Sequence, residues 1–388
     1  MCINTLAAEK AFTADWRINL SKIVLEGLTG FLVVFNPLVQ GWDIDYDVWF
    51  WQIISWSTYH SAAAVSRDYN VFTNVMYLHL AVVAILLAGL LVLALTVNKV
   101  QKSRKLQKWV KVLHFCMDVV FNVGFMTIFS VFTFMFNCDF ESNNNGGTNM
   151  HLHYRDVDCS QMPHLAHMVV GGIFGLILGV MACIMVVADT EHSPLSRAWL
   201  ASPSMVTRMK IVVAKMVIIV CAVGINQPRR APTIMVWLAS LYTWWLYFRQ
   251  MPFYNTWVNI SISSMWLGIA YTASLLMVLS WDHRYGDPDF HYWMTWNVLK
   301  GVFPVMVGGA CCHYAFIRYK MYWTRKFIDP PPTVPLRKIF KFEYPGKFFC
   351  RMHMLDGQAR QTVACTLKCA SIICCCPCPC SLPQCPTA

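Results

Sequence analysis

The chain has 388 residues, of which 57% are hydrophobic and only 13% are charged, and its formal net charge is +11. This composition excludes a soluble enzyme, a disordered chain and a nucleic-acid-binding module as the whole molecule, since a soluble domain carries about 25% charged residues. The apolar residues come in blocks that are long enough to cross a bilayer, which takes about 20 residues in a helix. We therefore expect an all-α, polytopic membrane protein.

Eight apolar segments predict a bundle of seven or eight transmembrane helices within residues 23–317. The first segment, residues 23–39, is interrupted by Glu26, Asn36 and Pro37, so a helix lying in the membrane plane is its alternative. The other seven segments are residues 72–97, 109–136, 164–187, 211–224, 234–247, 257–279 and 298–317.

Lysine and arginine in short connections predict the orientation, because cytoplasmic loops carry an excess of both. One basic group follows the second segment and another follows the last, so both are expected inside, against anionic lipids of the cytoplasmic leaflet. These residues are Lys99, Lys102, Arg104, Lys105, Lys108, Arg318, Lys320, Arg325 and Lys326. Alternation then places residues 40–71, 138–163 and 282–297 outside, although Arg229 and Arg230 do not fit this pattern.

Both ends of the chain are expected to be cytoplasmic. Residues 1–22 form the cytoplasmic N-terminus, and since residues 1–12 contain no apolar core followed by a small-residue cleavage site, no cleavable signal peptide is expected. Residues 318–360 form a basic juxtamembrane segment. Residues 361–388 are rich in Cys and Pro and are expected to be disordered or a gene-model end. Palmitoylation of Cys374, Cys375 and Cys376 beside the basic segment is the alternative.

Cysteines and histidines gather in the second predicted external loop. Cys138 and Cys159 are the only cysteines in the predicted external loops, and we expect them to form a disulfide, with two unrelated thiols as the alternative. Four histidines lie nearby, namely His151, His153, His164 and His167. Since no carboxylate is fixed beside them by sequence, we expect no metal site, and no cofactor is indicated elsewhere.

Two ionisable residues lie deep within predicted spans. Asp118 is about nine residues into the third span and Lys215 about six residues into the fifth, both counted from the cytoplasmic side, so their depths differ by about 5 Å. We expect the two to pair. The functional interpretation is an ion or proton path, or a switch between two packings. A structural ion pair and a lysine that reaches the interface are the alternatives.

Five patterns follow one another along the chain: FNPLVQGWDIDYDVWFW, Cys138 and Cys159 before Pro163-His164, EHSP with Ser202-Pro203, MPFYNTWVN, and KIFKFEYPGKFFCRM. In this order they resemble the membrane region of the tiny macrocysts (TmcB/TmcC) family of protists and green algae, over most of residues 20–355. The resemblance implies a multi-span region that in longer relatives feeds cytoplasmic PAS-type sensory and helical-repeat segments. It defines no catalytic residue. The continuation found in longer relatives is missing after about residue 360, which a truncated gene model would explain.

Two functions of different class follow. The first is a signalling input or membrane-anchoring module, with a cytoplasmic signalling partner, in the plasma membrane of a eukaryotic cell. The second is an ion channel or transporter with a path past Asp118 and Lys215. The chain contains no Walker loop, Gly-x-Ser-x-Gly, His-Glu-x-x-His or kinase signature, so we expect no enzymatic activity. Nucleic acid is not an expected partner, and self-association stays open.

The predicted orientation can be tested by labelling. A cysteine introduced at Asn144 should react with a membrane-impermeant maleimide on intact cells. One introduced at Ser103 should react only after permeabilisation, because the basic residues around it are expected inside. The parent chain, with 17 cysteines of its own, measures the background labelling. The reverse pattern would contradict the orientation.

Overall fold

The computed structural model describes residues 16–35, 42, 68–100, 104–139, 149–188, 200, 202, 204–225, 230–281 and 288–327. These residues form an all-α bundle, as predicted, and within them strand pairing is limited to isolated bridges. The helices are α1 (Trp16–Val34), α2 (Tyr69–Val100), α3 (Arg104–Asp118), α4 (Phe125–Phe134), α5 (His164–Ala188), α6 (Met205–Ile219), α7 (Arg230–Gln250), α8 (Thr256–Trp281) and α9 (Pro288–Phe327).

Four of these helices are long and apolar enough to cross a membrane. They are α2, α5, α8 and α9, and the bent pair of Leu106–Val123 and Phe125–Phe134 would make a fifth. Length and composition thus support four or five spans, fewer than the seven or eight expected from the sequence. Each of the eight predicted segments nevertheless overlaps a helix, since α1, α6 and α7 account for the other three.

The outer face of α2 shows why the bundle is compatible with a membrane. Leu78, Ile85, Leu91 and Leu95 all lie more than half exposed along it, and Leu95 reaches 78%. A contiguous apolar face of this length is rare on a protein surrounded by water. This apolar face of α2 is compatible with contact to the lipid chains of a membrane.

The short helix α4 lies at the centre of the bundle. Nine of its ten residues are buried, including Phe125, Phe129, Phe132 and Phe134. A helix that is apolar on every side is stable only where other helices surround it. Here α1, α3, α5 and α6 all contribute residues to the core around α4.

Two helices end in a π turn. Val119–Val123 follows α3 and Val220–Gly224 follows α6. Each turn closes through a hydrogen bond over five residues: Gly124 N–H donates to the Val119 carbonyl at 2.7 Å, and Ile225 N–H donates to the Val220 carbonyl at 2.9 Å. Such widened turns redirect a helix. At Gly124 the chain bends by 60° between α3 and α4.

Close packing of α5 on α4 depends on Gly171. A Cβ atom there would lie 3.2 Å from the backbone carbonyl oxygen of Phe132, which cannot move aside as a side chain can, whereas a Cβ atom at Gly308 on α9 meets nothing within 4 Å. We expect Gly171→Ala to lower the free energy of unfolding by about 1–2 kcal/mol, since overpacking outweighs the gain in helix propensity. Gly308→Ala, the matched control, should be neutral or stabilising. Unfolding in mixed detergent micelles measures both, and equal effects would contradict this packing.

Candidate functional site

The first helix carries two opposite charges on one face. Lys22 and Glu26 are four residues apart, so their side chains lie one above the other along α1. Lys22 is buried and the Glu26 side chain is 22% exposed. Each of them finds a partner on a different helix, so that two ion pairs add to the packing of α1 against α8.

The first point of attachment is at the bend between α3 and α4. The Lys22 ammonium donates a hydrogen bond to Oδ2 of Asp118, the last residue of α3. The other carboxylate oxygen of Asp118 accepts a hydrogen bond of 2.8 Å from the side-chain amide of Asn122, which lies within the π turn. Both charged side chains of this pair are nearly inaccessible to solvent. The pair therefore lies inside the protein, at the start of the 60° bend.

The second point of attachment lies at α6. Lys215 Nζ donates to Glu26 Oε1 at 2.7 Å, and the Tyr247 hydroxyl on α7 donates to the same oxygen at 3.0 Å. Lys215 Nζ also lies 5.8 Å from the centre of the Trp266 ring on α8, a distance that suits a cation–π contact. Lys215 precedes the second π turn by five residues. Each charge pair thus adjoins a helix that ends in a π turn.

The expected pair of Asp118 and Lys215 does not form in the structure. Each of them pairs with α1 instead, Asp118 with Lys22 and Lys215 with Glu26. The sequence analysis treated Glu26 as an interruption of a weak span and placed Lys22 in the N-terminal segment. The signal for both was present, since opposite charges four residues apart in an apolar segment indicate a helix face with partners inside the bundle.

The end of the bundle that the sequence predicts to be external is organised around the predicted disulfide, which the structure contains. Cys138 and Cys159 are bonded, with their Cα atoms 6.3 Å apart. Isolated β-bridges pair Cys138 with His151 and Met150 with Asp158 beside it. The loop that the disulfide closes is thereby tied to the end of α4.

His151 serves as a structural residue of this loop. Its Nε2 donates to the Phe134 carbonyl at 3.2 Å, and its Nδ1 accepts the backbone N–H groups of His153 and Tyr154. Burial lowers the pKa of His151 to about 3, so the ring stays neutral at physiological pH. Its role is to dock the loop onto the last turn of α4.

His164 connects the disulfide to α2. Its Nδ1 accepts a hydrogen bond of 2.8 Å from the Tyr69 hydroxyl, and its Nε2 lies 3.1 Å from the Met135 carbonyl and 3.9 Å from Cys138 Sγ. These partners fit a tautomer with the proton on Nε2. Donor atoms of Cys138, Cys159 and His164 all lie within 4.8 Å of one another. His167, one turn further along α5, is not a member of this group.

The predicted lipid-facing residues lie at helix ends where the structure describes them. Lys108 and Arg318 are exposed, and the Arg318 guanidinium lies 5.9 Å from the Tyr314 ring centre. Lys320 lies near the end of α9 and is half-buried. The backbones of Lys99, Arg104, Lys105, Arg325 and Lys326 belong to the ends of α2, α3 and α9. Lys102 and the possible palmitoylation sites Cys374, Cys375 and Cys376 lie outside the described residues, and contact with anionic lipid stays a prediction.

A large apolar groove runs along the outside of α4, α5 and α6. Its volume is about 680 Å³, and its walls include Phe132, Gly175, Cys183 and Met216. A smaller groove of about 290 Å³ lies between α2 and α3. Neither groove is lined by Lys22, Glu26, Asp118 or Lys215. The two ion pairs are therefore separate from both grooves.

Comparisons with protein-family models, with curated proteins and with solved structures found no match for this chain. The functional argument therefore rests on the chain's own residues.

The assignment of partners can be tested with two double-mutant cycles. Asp118→Asn should lower the free energy of unfolding by about 3–5 kcal/mol, because it leaves the Lys22 charge buried without its partner. Adding Lys22→Met should restore much of that loss. Glu26→Gln and Lys215→Met should show the same coupling. Unfolding by sodium dodecyl sulfate, followed by circular dichroism, measures each variant.

Two controls complete these cycles. Lys210→Met removes an exposed lysine of the same helix as Lys215 and should change the free energy of unfolding by less than about 0.5 kcal/mol. The cycle that combines Asp118→Asn with Lys215→Met should show weaker coupling than either true pair. Strong coupling there, together with additive effects within the assigned pairs, would contradict the structure and restore the pairing expected from the sequence.

Proposed function

We propose that this chain is a multi-pass membrane protein that acts as a signalling input module, in which docking of α1 distinguishes two states of the bundle. The observation that carries the proposal is that α1 forms ion pairs with two helices, each of which ends in a π turn, and that three of the four charged side chains are nearly inaccessible to solvent. Buried charge pairs favour one discrete arrangement, since partial separation leaves charges unpaired in a medium of low dielectric constant. Helix α1 therefore has two favourable positions, and the positions between them have a higher free energy.

The proposed topology has eight spans, with α1, α6 and α7 added to the bent pair and the four long helices. Lysine and glutamate in α1 and α6 lower the hydropathy of these helices, but they neutralise each other across the bundle. Pairing reduces the cost of placing ionisable groups in a membrane, which is a few kcal/mol for each unpaired charge on insertion scales. Both termini are then cytoplasmic, in the plasma membrane of a eukaryotic cell.

A signal reaches α1 from outside under this proposal. In sequence, α1 leads into residues 40–71, which the charge pattern places outside. A shift of α1 by one helical turn, about 5.4 Å, would separate both ion pairs together because Lys22 and Glu26 lie on one face. The basic residues that follow α9 hold the cytoplasmic end at the anionic leaflet, where a signalling partner binds. The resemblance to the tiny macrocysts family supports a signal that passes from the membrane region to a cytoplasmic partner. No catalytic role is proposed.

A transporter is the second candidate, and one observation favours it. Asp118 and Asn122 adjoin a helix bent by 60°, and ion sites of transporters are built at broken helices of this kind. The grooves favour the signalling proposal, since neither is polar and neither reaches the charges. An ion path through this state of the protein would need a polar route to Asp118.

Distance measurements between spin labels test the two-state proposal. One label replaces Leu20 on α1 and the other replaces Val206 on α6, both of which are exposed. The labelled chain keeps Cys138 and Cys159 and has its other cysteines replaced. In lipid nanodiscs, the parent should give one dominant distance. Glu26→Gln combined with Asp118→Asn should add a second, longer distance, because neither charge pair then holds α1.

Lys210→Met serves as the matched control and should give the distance distribution of the parent. A folded double variant with an unchanged distribution would contradict the two-state proposal. Ion flux separates the second candidate: the parent chain, in vesicles of phosphatidylcholine and phosphatidylserine, should leave a proton or potassium gradient intact. Dissipation of either gradient by the parent, with loss of that flux in Asp118→Asn, would favour a transporter instead.

A further inference from the structure

We propose that Cys138, Cys159 and His164 form a zinc site when the disulfide is reduced, so that one cluster holds either a disulfide or a metal ion. This inference is independent of the proposed signalling function. Two thiolates and one imidazole are ligands that Zn²⁺ prefers, and three protein ligands with one open position are typical of reactive zinc sites. The sequence analysis expected no metal because it considered the histidines without the cysteines.

The geometry of the cluster suits this exchange. The donor atoms of all three residues lie within 4.8 Å of one another, and each residue is less than 4% exposed. Two Zn–S bonds of about 2.3 Å at a tetrahedral angle place the sulfur atoms about 3.8 Å apart. The Cα separation of 6.3 Å accommodates both this distance and the disulfide. Cys138 Sγ already lies 3.9 Å from His164 Nε2.

The exchange balances in electrons and protons. A dithiol reductant gives two electrons and two protons to the Cys138–Cys159 bond, which yields two thiols and the oxidised form of the reductant. Zn²⁺ then displaces the two thiol protons and binds the thiolates. Oxidation reverses the sequence, since formation of the disulfide removes both sulfur ligands and releases the metal.

Tyr69 orients the histidine ligand in both states. In the oxidised structure, the Tyr69 hydroxyl donates to Nδ1 of His164 while Nε2 faces the Met135 carbonyl. Binding of zinc through Nε2 requires that nitrogen to be deprotonated, so the proton moves to Nδ1 and the Tyr69 oxygen becomes the acceptor. Metal-bound histidines ordinarily donate their second ring N–H to a neighbouring oxygen in this way, and loss of such a partner weakens metal binding about 10–100-fold.

The experiment uses the full-length chain, with serine in place of the cysteines near both termini, because those residues would bind zinc on their own. The replaced residues are Cys2, Cys350, Cys365, Cys369, Cys374, Cys375, Cys376, Cys378, Cys380 and Cys385. Purified protein is reduced with a dithiol, freed of reductant under nitrogen and dialysed against Zn²⁺. Zinc per chain is measured by mass spectrometry, and Co²⁺ replaces zinc to reveal thiolate ligation by its charge-transfer absorption.

We expect the reduced chain to bind about one zinc ion more than the oxidised chain, with thiolate-to-cobalt absorption appearing only after reduction. The substitutions C138S and C159S together, or His164→Ala, should abolish the difference. Tyr69→Phe keeps the ring in the core and all three ligands, and should weaken zinc binding about 10–100-fold. His167→Ala is the matched control on the same helix and should bind as the parent does.

Two results would overturn the proposal. In one, the reduced and oxidised chains bind the same amount of zinc. In the other, zinc binds on reduction but His164→Ala and Tyr69→Phe both bind it as tightly as the parent, so that the thiols alone are responsible. Elution of each oxidised variant as a single sharp peak on gel filtration verifies that it is folded. None of these outcomes depends on movement of α1.

Discussion

The two ion pairs of α1 depend on how the other helices are arranged. α1 carries Lys22 and Glu26 among apolar residues, so its place among the other helices is favourable only when both charges meet partners. Those partners come from α3 and α6, which lie far from α1 in the sequence. The docking of α1 is therefore a property of the assembled bundle. In the two-stage description of membrane-protein folding, it follows the insertion of the helices that supply Asp118 and Lys215.

Each charge pair lies close to a π turn. A π turn widens the helix and disturbs the regular backbone hydrogen bonding around it, so polar side chains nearby have backbone and side-chain groups to contact. Asn122 lies inside the first turn and bonds to Asp118 across one helical turn. The bend at Gly124 then directs α4 into the centre, where it is buried on every side. Without the bend, the chain after α3 would continue in its original direction and leave that space to other residues.

Much of this arrangement could be predicted from local sequence. Hydropathy located the helices of the described residues, with α3 and α4 as one segment, because a block of apolar residues is recognised whatever its neighbours are. The disulfide was also predicted, since Cys138 and Cys159 are the cysteines of the predicted external loops. The partners of Asp118 and Lys215 could not be found in the same way. Depth along a helix axis follows from counting residues, but which helix faces which depends on packing between distant segments.

The number of spans was harder to predict for a related reason. α1, α6 and α7 overlap predicted segments, yet they fall short of the length and hydropathy that identify a span on its own. Some of their polar residues bond to one another, as Glu26 of α1 does to Lys215 of α6 and Tyr247 of α7. A hydropathy scale assigns a cost to each such residue separately. Such a scale does not include the decrease in the free-energy cost of burial that follows when two of these residues bond to each other.

The position of α4 connects the two chemical features of the molecule. Its C-terminal end adjoins the cluster of Cys138, Cys159 and His164, because the carbonyl groups of Phe134 and Met135 bond to His151 and His164. Its N-terminal end follows Gly124, directly after the π turn in which Asn122 bonds to Asp118. The helix has ten residues, so these ends are about 15 Å apart. Nine of the ten residues of α4 are buried, and Phe129, Phe132 and Thr133 also line the larger apolar groove. One short helix in the core therefore joins the end of the bundle that holds the disulfide to the turn beside the Lys22–Asp118 pair.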